Sequence, residues 1–97
     1  MGKYVLVYTG GCRPSSEEEG RQVMAAWESW LGGMGNAVAD WGAPFAASVG
    51  VNGGSTSGLT GYSVITAASL DDAAKLAEGC PIFASGGGVE VYEAMEM

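Results

Sequence analysis

The chain has 97 residues, eleven acidic and four basic, no histidine, and a formal net charge of −7. That surface repels phosphate backbones and anionic lipid heads, so neither nucleic acid nor a membrane is an expected partner. Without an imidazole, Cys–His and Ser–His–Asp catalysis are excluded outright. The length fits one domain, residues 1–97, and the 47% apolar content is enough to build a core.

No apolar run approaches a membrane span, and the N-terminus enters a strand without the features of a signal peptide, which points to the cytoplasm. Cys12 and Cys80 are too few and too far apart in sequence for a disulfide framework. A zinc site would need carboxylates alone, so no metal and no cofactor is expected.

In chain order, "KYVLVY" (3–8) is rich in β-branched and aromatic residues and predicts a strand. "GGCRPSSEEEG" (10–20) then turns into a helix. Ser15 with Glu18, or Ser16 with Glu19, has the spacing of a capping box. Val23, Met24, Trp27, Trp30, Leu31 and Met34 recur at steps of three and four, which predicts a helix with one apolar stripe to bury. "GGMGN" (32–36) punctuates, and "AVADWGAPFAASVGV" (37–51) alternates loosely as a second strand. Asn52-Gly53 is a strong hairpin signal, and "STSGLTG" (55–61) reads as loop or ragged edge. "YSVITAA" (62–68) is a third strand, and "SLDDAAKLAEGCP" (69–81) a second helix. In that helix Ser69 is the cap, Ala73, Leu76, Ala77 and Cys80 share a face, and Gly79 with Pro81 ends it. "FASGGG" (83–88) is a turn, and "VEVYEAMEM" (89–97) closes the chain as a strand.

The order βαββαβ predicts an α+β, ferredoxin-like fold: a four-stranded antiparallel sheet with both helices on one face. In the first strand neither the Val5–Val7 side nor the Tyr4–Leu6–Tyr8 side is polar. A strand apolar on both faces is covered on both. Helices cover one, and Tyr62, Val64 and Tyr92 extend the uncovered Tyr4–Tyr8 surface if the registers agree. Such a patch exceeds what a monomer exposes, so a second copy packed face to face is the expected cover.

"GYSVITAASLDDAAKLAEGCPIFASGGGVEVYEAM" (61–95), with "KYVLVY" and "AVADWGAPF", resembles the YCII-related family of the dimeric α/β-barrel group. The resemblance implies a homodimer whose sheets enclose a cleft, usually with no assigned activity. Some relatives are linked to breakdown of halogenated aromatic compounds, with a histidine–aspartate pair proposed as active centre. Asp40 looks like the aspartate of that pair; the histidine is missing from this chain, and with it the pair's proton shuttle near neutral pH.

The site candidates follow. Asp40, alternating with Val38, is expected to point into an apolar region as a lone general base or a hold for a ligand's polar group. Tyr4, Tyr8, Tyr62 and Tyr92 are the ligand-binding candidates, stacking on a small aromatic or neutral organic molecule and orienting it with their hydroxyls. Trp27 and Trp30 are expected in the core, with Trp41 facing away from Asp40. Cys12, at the strand-to-helix turn, is a candidate redox residue because a helix N-terminus favours thiolate. Glu17, Glu18 and Glu19 oppose a second anion there, so a bland strand-end thiol is the stronger expectation. Cys12 and Cys80 fall at the same end of the molecule and are expected to stay unpaired. The competing function is a non-catalytic structural or interaction module that kept the dimer after losing the histidine.

Overall fold

The computed structural model describes residues 2–11, 15–54 and 56–95. Four strands, β1 (Gly2–Thr9), β2 (Val38–Pro44), β3 (Leu59–Ala67) and β4 (Gly88–Glu93), form one sheet in the order β2-β3-β1-β4. Every pairing is antiparallel. Two helices, α1 (Glu17–Met34) and α2 (Leu70–Ala77), follow β1 and β3. This α+β arrangement is compatible with a ferredoxin-like fold.

Both helices start where a serine can cap them. Ser16 accepts from the Glu19 N–H at 3.1 Å and Ser69 from the Asp72 N–H at 3.1 Å, each satisfying an orphan donor of the first turn. Of the two spacings at α1, the Ser16–Glu19 one is used. Ser15 donates to the Glu19 carboxylate at 2.7 Å instead.

Strand pairing decides which residues share a face. Tyr4 lies opposite Ile65, Leu6 opposite Ser63 and Val91, and Tyr8 opposite Gly61 and Val89. These face the helices and, with Ala67, Ala73, Ala77, Cys80 and Ile82, make the core. Trp27 and Trp30 close it from α1: the Trp27 ring meets Tyr8 edge-on at 4.9 Å and Trp30 at 5.7 Å. Such pairs are worth about 0.5–1.5 kcal/mol beyond their buried area. Trp30 Nε1–H also donates to the Leu76 carbonyl at 3.1 Å, tying α1 to α2. Gly79 sits at that junction with a negative φ. Its contribution is space, because a Cβ there would stand 3.2 Å from the Trp30 ring.

Several sequence expectations change. The second helix stops at Ala77 rather than running to residue 81, and Pro81–Ser85 forms a separate short 3-10 helix, so Cys80 lies between the two. The second strand stops at Pro44 rather than near residue 51, and the third begins at Leu59. Between them Asn52 and Gly53 do take the positive φ of a type I′ turn, closed by Gly54 N–H to the Val51 carbonyl at 3.1 Å. Among the described residues no strand flanks that turn, and Val49 and Val51 beside it stay exposed. The last strand ends at Glu93, opposite Tyr4, and one more bond, Ala94 N–H to the Lys3 carbonyl at 2.9 Å, follows it. Finally, the stripe on α1 is buried only towards its C-terminal end. Leu31 is buried, Val23 half-buried, and Met24 is 64% exposed.

Candidate functional site

Met24 is exposed because the first turns of α1 stand away from the sheet. Between them and the β2–β3 side lies a groove of about 930 Å³, within the range of small-molecule pockets. Its walls carry Met24, Trp27 and Leu31 of α1 and Trp41 of β2, and its floor carries Tyr8 and Ser63. A second hollow of about 560 Å³ lies against α1 near Trp30 and Pro81, and no other aromatic side chain lines it.

The floor is a chain of hydroxyls. Tyr8 donates to Ser63 Oγ at 2.7 Å, and Ser63 donates to the Trp41 carbonyl at 2.7 Å. A carbonyl can only accept, so Ser63 must be the donor there, and Tyr8 the donor to Ser63. Burial pushes the Tyr8 phenol up to about 12, against the smaller opposing effect of its bond to Ser63. The proton therefore stays on Tyr8 at neutral pH. Cys80 is a buried free thiol, pushed up to about 11 by desolvation, which makes it a poor nucleophile.

The four candidate tyrosines do not share a surface. Tyr4 and Tyr8 are buried on the helix side, contrary to the expectation that they extend an uncovered face. Tyr62 and Tyr92 lie on the opposite side, across from Val7 and Val5 respectively. That helix-free face has half-buried Val5, Val7 and Val64 at its centre. On one side Tyr62 donates to Asp40 at 3.4 Å, with Phe45 stacked on its ring at 5.9 Å. On the other, Tyr92 bonds the Glu90 carboxylate, which pushes that phenol up.

Asp40 is exposed and does not point into an apolar interior. The cause is a bulge. Val38 pairs with Ile65 and Asp40 with Val64, so one extra residue in β2 turns Asp40 from the core face to the helix-free one. Its carboxylate accepts from the Gly42 N–H at 2.9 Å as well as from Tyr62. Trp41, on the groove side, faces away from Asp40. A second bulge, between Asp40 and Ala43, contains Gly42 at φ 77°, where a Cβ would overlap the Tyr62 carbonyl oxygen. Cys12 lies outside the described residues, and with it the question of a Cys12–Cys80 approach.

Sequence reasoning missed Ser63 and the role of Trp41. The signal for Ser63 was present: a hydroxyl alternating with Ile65 on a core-facing strand must find a partner. Among the described residues no helix is long and apolar enough to cross a membrane, and no three of His, Cys, Asp and Glu cluster as metal ligands. Fold and site together define an α+β domain with an aromatic-walled groove under its first helix. No family model matches the chain, and no curated protein or solved structure matches it either.

Proposed function

We propose that this chain is a cytoplasmic small-molecule-binding protein, YCII-related as its sequence resembles, working as a homodimer whose two sheets face each other in a dimeric α/β barrel. Its ligand is a small aromatic or neutral organic molecule. The observation that carries the ligand half is the groove of about 930 Å³ with Trp27 and Trp41 on its walls and the Tyr8–Ser63 hydroxyls at its floor. Apolar and aromatic walls supply burial for a flat ring. The seat is therefore the space beneath α1 rather than a cleft between the two sheets. The dimer half is supported by the valines of the helix-free face. The proposal assigns no reaction. The chain has no histidine, and Asp40 is already held by Gly42 and Tyr62.

A panel of small aromatics tests the ligand half. Ligand at one hundred times its Kd stabilises by about 2.7 kcal/mol, which raises the Tm of a domain of this size on the order of 10 °C. The same compounds should quench tryptophan emission saturably. Trp41 is 50% exposed, so Trp41→Ala removes one wall without opening the core and should weaken binding at least tenfold. A panel that neither raises Tm nor quenches overturns the proposal. If the protein is nevertheless dimeric, the result favours the second reading, a non-catalytic interaction module, for which the helix-free valine face is the supporting observation.

A further inference from the structure

We propose that the groove beneath α1 selects by charge, taking an aryl-alkyl amine in its ammonium form in preference to a carboxylate or an uncharged isostere. This rests on the groove being the ligand site and names the chemistry it prefers.

Three features point the same way. The first is the floor. Because the Trp41 carbonyl uses the Ser63 proton and Ser63 Oγ takes the Tyr8 proton, both hydroxyl donors are spent within the protein. Tyr8 and Ser63 are also buried, so the floor has no free donor to give an incoming carboxylate. A carboxylate there would give up its hydration without gaining a donor, whereas an ammonium is compensated by the walls and the rim. The second is the wall. Tyr8, Trp27 and Trp41 present π-systems around a largely apolar space, and their negative faces attract a cation. The third is the rim. Glu17 and Glu28 of α1 stand there against Arg21, the one cation among the described lining residues. Two carboxylates against one guanidinium leave the mouth net negative, on a chain that carries −7 overall.

The test compares 2-phenylethylamine, 2-phenylethanol and 3-phenylpropionate at pH 7 and low salt, by calorimetry and tryptophan quenching. The amine should bind at least tenfold more tightly than the carboxylate, and more tightly than the alcohol. Glu28 is exposed, so Glu28→Gln leaves the fold intact. It should weaken the amine several-fold and leave the alcohol unchanged. An alcohol or a carboxylate bound as tightly as the amine or more tightly, or an amine affinity indifferent to Glu28→Gln, overturns the proposal. If the alcohol still binds and loses affinity in Trp41→Ala, the groove stands as the ligand site and only its charge preference falls. If none of the three binds, both fall together.

Discussion

At the scale of single residues, the Tyr8–Ser63–Trp41 chain shows how a polar group survives inside a small core. Ser63 is 1% exposed, and it accepts from the Tyr8 hydroxyl while donating to the Trp41 carbonyl. Ser63→Ala strands the Tyr8 hydroxyl and the Trp41 carbonyl and should cost about 1–3 kcal/mol, read as a lower denaturation midpoint. Tyr8→Phe in that background should cost less than it does alone, because the partner is already gone. A cycle with no coupling would contradict the relay. The same burial sets a pH dependence. Tyr8 is raised from 10.0 to about 12 and Cys80 from 9.0 to about 11, so the unfolded chain loses these protons first. Their contribution to stability is therefore fully present below about pH 9 and is lost as pH rises through about 11 to 12. Thermal melts from pH 8 to 12 should show a falling Tm, with the alkaline fall reduced in Tyr8→Phe. A flat profile over that interval would count against a buried, neutral Tyr8.

At the scale of elements, β1 as a strand, the apolar face of α2 and the two serine caps were legible because each depends on local composition and spacing alone. β2 was not. Simple alternation puts Asp40 on the same side as Val38, and only the pairing with β3 reveals the extra residue that turns it over. Gly42 was hidden for the same reason, since nothing in "DWGAP" says that a neighbouring carbonyl occupies the place of its Cβ. Gly42→Ala should cost at least the roughly 1–3 kcal/mol of a strained backbone position, because the Tyr62 carbonyl must also move. Amide exchange should quicken in β2 and at Tyr62 before it does in β1; unchanged protection there would show that the bulge is not tightly built. In α1 the six-residue stripe was readable, but the groove was not. A helical period says which side of a helix is apolar, and not that Met24 overhangs open space while Leu31 is buried.

At the scale of the whole molecule, the fold class followed from element order, while the division of the tyrosines waited on register. Tyr4 and Tyr8 belong to the helix side and Tyr62 and Tyr92 to the other, so one face carries the groove and the other the proposed dimer contact. The two can be separated by mutation. Val5→Glu puts a charge at the centre of the helix-free face, where the side chain is only half-buried in a single chain. It should give a folded monomer by sedimentation with unchanged circular dichroism, and should leave ligand binding in the groove intact. A variant that still dimerises would place the contact elsewhere. The most direct measurement of the central claim is amide chemical-shift mapping as a small aromatic ligand is titrated in. Shifts should concentrate at Met24, Trp27, Trp41 and Ser63, with Val5, Val7 and Val64 still. Shifts centred on those three valines would put the ligand between two sheets and contradict it.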